Sequence, residues 1–284
     1  MGNNAPIGVF DSGLGGLTVL KEIIARLPEE DTIYLGDTAR VPYGIRSPEV
    51  VTRYSLENAR FLLGRGIKLL VIACNTASAI SLPALKLESP VPVIGVIEPG
   101  ARAAVQASKT GRIGVIGTET TIKSGAYRIV LERLAPSVKV FSRSCPLFVP
   151  LAEEGWADNE IALLAARNYL TGLNEEGIDT LLLGCTHYPL LKETIARVMG
   201  DGVTLIDSAR ETAREIQETL AEGALSNMTD ASPRRQFYVT DAPERFKALG
   251  GRFLLGGQPA GRGLSSIKDV KLTEVWNEAG WQKK

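Results

Sequence analysis

Two stretches of this 284-residue sequence share one build. Leu69-Leu70-Val71-Ile72-Ala73 runs into Cys74-Asn75-Thr76, and Leu181-Leu182-Leu183-Gly184 runs into Cys185-Thr186-His187-Tyr188-Pro189. Each is a short apolar run of strand length that ends in a polar turn, the pattern of a buried strand. In open α/β sheets, ligands bind outside the carboxyl ends of the strands, so both corners are site candidates. A free cysteine is commonly a small buried hydrophobe. Two of them at matching corners, each followed by hydroxyl and amide side chains, favour chemistry over packing.

The rest of the chain reads as alternating strands and helices. Ile7 to Phe10 is a strand, followed by the turn Asp11-Ser12-Gly13-Leu14-Gly15-Gly16 and a helix face of Leu17, Leu20, Ile23, Ile24 and Leu27. Such a turn points backbone N–H groups at an anion near the helix start. Thr18 stands where the dinucleotide fingerprint needs glycine and no Walker lysine follows, which disfavours a nucleotide. Thr32 to Leu35 is a strand ending at Gly36-Asp37, and Val41-Pro42-Tyr43-Gly44 is a turn offering ligand-facing backbone and a phenol. A helix starts at Ser47 with Pro48 in its first turn and ends at Gly64 to Gly66. Val93 to Ile97, with Glu98-Pro99-Gly100, closes the first half.

The second half repeats this plan. Ile113-Gly114-Val115-Ile116-Gly117-Thr118 matches Ile7-Gly8-Val9-Phe10-Asp11-Ser12, and the distance from strand start to cysteine is 67 residues in one half and 72 in the other. Thr120 and Thr121 are expected to cap the next helix. Val138 to Phe141 reads as a strand, Pro146 to Glu154 as an irregular segment bearing Glu153 and Glu154, and Asn159 to Leu173 as a helix. Strands follow at Asp179 to Gly184 and Val203 to Ile206, the latter running into Asp207-Ser208. A helix from Ala209 to Ala221, a loop from Ser226 to Arg235, a strand from Gln236 to Thr240 and a helix from Ala242 to Leu249 come next. Val275, Trp276 and Trp281 suggest that the tail from Gly256 docks, with the first lobe as its expected destination. Two copies of one plan predict two similar, pseudo-symmetric α/β lobes, each a central, mostly parallel sheet flanked by helices, with the active site in the cleft between them. A chain of this length has ample core for one large or two medium domains.

Charge narrows the function classes. Lysine plus arginine equals aspartate plus glutamate at 32 each, so no basic field draws the chain to nucleic acid or to an anionic membrane. The longest apolar runs are broken by Lys68, Asn75 and Thr76, too soon to span a bilayer. Met1 to Gly8 lacks the basic region and apolar core of a secretory leader. Three cysteines, an odd number, fit reduced thiols in the cytoplasm rather than a disulfide framework. A metal site is not expected, because no cysteine pair has the short spacing of a zinc site and there is one histidine.

Lobes that face each other would hold two thiols on opposite sides of a cleft. Inverting a stereocentre by proton transfer needs that arrangement, with one base taking a proton from one face and one acid delivering a proton to the other. A thiol titrates near ~8.5, close enough to neutrality to serve in either role. Asp11 is the candidate helper of Cys74, and His187 and Glu153 of Cys185. The carbanion at an amino-acid α-carbon needs electrostatic stabilisation. Glycine-turn amides and the hydroxyls of Ser12, Thr76, Thr118 and Thr186 can fix a carboxylate without lysine or metal, although a hydroxyl just after a strand is also a common helix cap. Cys145 lies outside both corners and reads as structural.

At Phe10-Asp11-Ser12-Gly13-Leu14-Gly15-Gly16, Val41-Pro42-Tyr43-Gly44, Cys74-Asn75-Thr76-Ala77-Ser78-Ala79, Pro150-Leu151-Ala152-Glu153-Glu154-Gly155 and Cys185-Thr186-His187-Tyr188-Pro189-Leu190-Leu191, the chain resembles the cofactor-independent glutamate racemases of the aspartate/glutamate racemase superfamily. Ala152 departs from the pattern at a supporting position where valine is commoner. The resemblance covers nearly the whole chain. It implies interconversion of L- and D-glutamate by two bases without a cofactor, supplying D-glutamate for cell-wall peptidoglycan. It assigns Cys74 to the D enantiomer and Cys185 to the L, with Asp11 assisting the first thiol and Glu153 and His187 the second. Substrate contacts carry over to Asp11, Ser12, Tyr43, Gly44, Asn75, Thr76, Thr118, Thr121, Thr186 and His187. The first lobe is expected to comprise 1–97 plus 208–284 and the second 98–207. The expected partner is the small-molecule substrate glutamate, with neither nucleic acid nor membrane, and a homodimer is left open. Rival readings are racemisation of aspartate, a cysteine hydrolase built on Cys185 and His187, and a two-lobed amino-acid-binding protein without catalysis.

Overall fold

A computed structural model describes residues 4–227, 231–255 and 270–275. They form two parallel sheets flanked by helices, the α/β plan expected from the sequence. The first sheet is built from β1 (Ile7–Asp11), β2 (Thr32–Gly36), β3 (Leu69–Ile72) and β4 (Val93–Gly95). The second is built from β5 (Arg112–Gly117), β6 (Lys139–Ser144), β7 (Thr180–Gly184) and β8 (Thr204–Asp207). The chain then adds β9 (Arg235–Val239) and β10 (Val270–Leu272) to the first sheet, giving the orders β10-β9-β2-β1-β3-β4 and β6-β5-β7-β8.

Alternation along each strand explains why both faces are covered. Ile7, Val9, Leu69 and Val71 turn to one side, against the helices Leu17–Arg26, Ser208–Glu222 and Pro243–Leu255. Phe10, Leu70 and Ile72 turn to the other, against Pro48–Leu63 and Asn75–Glu88. The second sheet repeats the scheme, with Leu181 and Leu183 facing Glu160–Glu175 and Lys192–Met199, and Leu182 facing Ile97–Ala107 and Ala126–Leu134. Strands with two apolar neighbouring layers read as continuous apolar runs, which is why β3 and β7 stand out in the sequence. Register aligns the carboxyl ends. Asp11 sits beside Gly36, Phe10 beside Ile72 and Gly117 beside Gly184, so Asp11 and Cys74 leave one sheet edge together, as Thr118 and Cys185 leave the other.

Several local expectations need correction. Glu98-Pro99-Gly100 does not close a half but lies inside the helix Ile97–Ala107. Proline is tolerated there because first-turn N–H groups have no intrahelical acceptor. Pro146 to Glu154 is not irregular throughout, since Phe148–Glu154 is helical and ends at Gly155 in the left-handed region that glycine favours. Thr118, not Thr120 or Thr121, caps Glu119–Lys123 by accepting from the Thr121 N–H. The helix begun at Pro243 runs on to Leu255, past Leu249. Val275 is buried in the same cluster as Phe61 and Leu62, whereas Trp276 and Trp281 lie outside the described residues.

Lys68, which interrupts the apolar run before β3, is itself buried. Its Nζ lies 2.5 Å from the buried Glu30 Oε2 and donates to the Leu225 carbonyl at 2.7 Å. Removing one member of a buried pair strands the other charge. Lys68→Met is expected to lower unfolding free energy by about 3–5 kcal/mol, and Lys68→Met with Glu30→Gln by less, as read by urea denaturation.

Candidate active site

The first corner is a carboxylate and a thiol withdrawn from water together. Asp11, the last residue of β1, is fully buried; the Gly13 N–H donates to its Oδ2 at 2.9 Å, while Oδ1 has no hydrogen-bond partner. Burial raises the Asp11 pKa, opposed first by the charge of His187 from the other sheet and then by the amides of Gly13, Gly16 and Ser12. Cys74 follows β3 and starts the helix Asn75–Glu88, its sulfur accepting from the Ala77 N–H at 3.5 Å and its thiol reaching Ser12 Oγ at 3.7 Å. Burial, and then the neighbouring Asp11, push this thiol up to about 12. Cys74 therefore rests as a proton donor.

The second corner has the opposite polarity. His187 Nδ1 lies 3.9 Å from Cys185 Sγ, and Nε2 lies 3.2 Å from Glu153 Oε1. Burial alone would lower the His187 pKa, but hydrogen bonds to Cys185 and Glu153, reinforced by their charges, carry it up to about 10. The same hydrogen bond from His187 holds Glu153 below the usual carboxylate range, against partial burial and with help from Arg245, 3.4 Å from Oε2. At neutral pH the imidazolium thus donates to the sulfur on one side and to the carboxylate on the other. The ring of Phe253 meets His187 edge-on at 5.3 Å, so the helix Pro243–Leu255 supports the second corner with both Phe253 and Arg245.

Both thiols open into one cavity of about 340 Å³, together with Ser12, Asn75, Thr76, Thr118, Thr186 and His187. Among the described residues that line it there is no lysine or arginine. Beside the His187 imidazolium, the donors available to an anion here are neutral side chains and first-turn amides such as those of Asn75 and Thr76, which lack intrahelical acceptors. Gly44 and Tyr43 line the cavity, but the Tyr43 hydroxyl is engaged by Asp37 and accepts from Asn58 Nδ2 at 3.1 Å. Two of the expected residues stand just behind the lining. Asp11 is one; the other is Thr121, whose hydroxyl joins those of Thr76 at 3.0 Å and Thr118 at 2.9 Å.

The sheets meet across this cavity at positions that admit no side chain. A Cβ on Gly15 would lie 2.5 Å from His187 Nδ1, and one on Gly44 would lie 2.6 Å from Thr118 Cβ. Thr18, whose hydroxyl reaches the Thr186 carbonyl at 3.1 Å, adds a bond between them. Thr18, Arg245, Phe253 and Tyr127 carried no sequence signal, because each acts through a partner distant in the chain.

Residues 7–216 match the sequence profile of the Asp/Glu/Hydantoin racemases. The chain belongs to this family. It is accordingly an isomerase. The chain is 61% identical to a glutamate racemase of Geobacter metallireducens over 250 residues, covering 88% of this chain and 93% of that one. It is 49% identical to a glutamate racemase of Syntrophus aciditrophicus over 267 residues, covering 94% and 97%. Among solved structures, a Francisella tularensis glutamate racemase in complex with D-glutamate superposes with a TM-score of 0.88 at 38% identity, covering 96% of this chain and 98% of that one. A glutamate racemase from Bacillus anthracis also gives 0.88, at 42% identity and the same coverage.

His187 is the chain's only histidine, so one imidazole resonance reports on it. Its NMR titration is expected to have a midpoint near 10, and Glu153→Gln is expected to move that midpoint down. Because the folded pKa is raised above the ordinary 6.5, the stability this group contributes is fully present below about 6.5. It is lost as pH rises through about 10.

Proposed function

We propose that the enzyme is a glutamate racemase that interconverts L- and D-glutamate by two-base proton transfer between Cys74 and Cys185, without a cofactor. The observation that carries this reading is the pair of thiols at matching sheet corners, opening into one cavity with different proton-handling partners. The lobes taking part are 1–97 with 208–284 and 98–207, closing on the cavity between them.

For L-glutamate, the Cys185 thiolate takes the α-proton while the His187 imidazolium supplies the countercharge beside the sulfur. The electron pair left at the α-carbon spreads into the α-carboxylate, where Asn75, Thr76 and Thr186 are the donors that hold it. The Cys74 thiol then delivers its proton to the opposite face, giving D-glutamate, a Cys74 thiolate and a Cys185 thiol. The reverse reaction starts from that state. Asp11, buried with one oxygen unpartnered, accepts the substrate ammonium or relays the Cys74 proton. Ser12 supports the same thiol, and Glu153 orients His187. Gly44 and Tyr43, with Thr118 fixed by Thr121, bound the end of the cavity that takes the side-chain carboxylate. The product serves cell-wall peptidoglycan synthesis in the cytoplasm, where thiols stay reduced.

Incubation with L-glutamate in deuterium oxide tests this reading. Optical rotation and the α-proton signal are expected to fall together, and L-aspartate is expected to react far more slowly. A positioned acid or base is worth about 10²–10⁴-fold, so Cys74→Ala and Cys185→Ala should each reduce racemisation by about 10³-fold or more. Full activity of Cys74→Ala would rule out the two-base mechanism, and loss of α-proton from aspartate alone would rule out glutamate.

A further inference from the structure

Tyr127 lies on the helix Ala126–Leu134 and is 3% exposed. Its hydroxyl donates to Asn75 Oδ1 at 2.5 Å, a buried bond that joins the helix following β3 to one that follows β5. Ser208, the first residue of the helix Ser208–Glu222, stands close to the same hydroxyl and opposes the rise that burial gives the Tyr127 pKa. The phenol is wedged tightly. A Cβ on Gly184 would lie 2.9 Å from its Cε2, and one on Gly100 would lie 3.7 Å from its hydroxyl and 2.9 Å from Ser208 Cβ. The chain crosses between the two sheets at Ile97–Ala107 and again at Ser208, so this phenol fills the junction.

A primary amide has an acceptor end and a donor end. Tyr127 occupies the acceptor end of Asn75, and Asn75 lines the cavity, so the end left for a ligand is the NH₂ group. We infer that Tyr127 is a positioning residue for the racemase: it locks the Asn75 amide with its donors turned toward the substrate carboxylate, an inference that rests on the reading above. The orientation matters because the described residues that line the cavity include no lysine or arginine, and the one cation among them, His187, is already engaged by Cys185 and Glu153, which leaves neutral donors such as Asn75 to meet an anion. A reversed amide would present its carbonyl oxygen to the carboxylate and repel it. The junction between the lobes is thereby connected to substrate binding through Ser208, Tyr127 and Asn75.

Tyr127→Phe removes the hydroxyl and keeps the ring. KM for both enantiomers of glutamate is expected to rise about tenfold or more while kcat falls less, with no shift in the pH profile. In an Asn75→Ala background, Tyr127→Phe is expected to change KM less than twofold, because the amide it positions is gone. A structural role alone would give the same factor in both backgrounds. Should Tyr127→Phe fail to accumulate as folded protein, Ser208→Ala is read in the same way, with a smaller rise in KM expected. Wild-type protein that leaves both enantiomers unchanged would remove the racemase reading and this inference with it. Active wild type with an unaltered KM in the folded variant, or an undiminished effect on Asn75→Ala, would overturn the inference alone.

Discussion

Asp11 and His187 leave different sheets and are both buried, and the charge of His187 acts on Asp11 across the cleft. Alone, burial would drive each toward its neutral form. The positive charge of His187 opposes that drift at Asp11, so the ionisation of a group on one sheet depends on a group from the other. This coupling needs close approach, and close approach is what Gly15 and Gly44 allow. Any side chain at either position would push the corners apart, admit water between the charged groups and weaken their interaction. Gly15 and Gly44 therefore serve the electrostatics as much as the backbone.

How much of this could be read from the sequence follows from the range of the interactions. The strand that precedes each cysteine is legible because both of its faces are apolar, and the corners are legible because hydroxyl and amide residues crowd after a strand. Edges of elements are less so. Phe148–Glu154 carries Pro150 within seven residues, a composition that reads as irregular, yet Phe148, Leu151 and Ala152 are buried against the second core and hold the turn as helix. Tertiary packing overrides local propensity there. The support around the site was illegible for a different reason. Phe253 and Arg245 come from a helix that the chain reaches more than 50 residues after Cys185, and Tyr127 bonds a residue 52 positions away. No periodicity or spacing encodes such a contact.

The duplication places the two thiols alike but does not surround them alike. After β3 the helix begins at once, so the Cys74 sulfur itself caps it, and Asp11 is the charge that acts on it most. After β7 a 3-10 turn at Tyr188–Leu191 intervenes, and the residue before it is His187, aimed back at the Cys185 sulfur. One thiol is thus biased toward holding its proton, and the other stands beside a cation. Such a bias cannot favour one enantiomer overall, because mirror-image amino acids have equal free energy in water and kcat/KM must be equal in the two directions. On the mechanism proposed above, what the asymmetry sets is which protonation state of the free enzyme predominates, and so which enantiomer meets a ready base. On the two-base mechanism proposed above, the two partner sets are a resting charge assignment that each turnover inverts, with Asp11 and the His187–Glu153 pair letting the proton return.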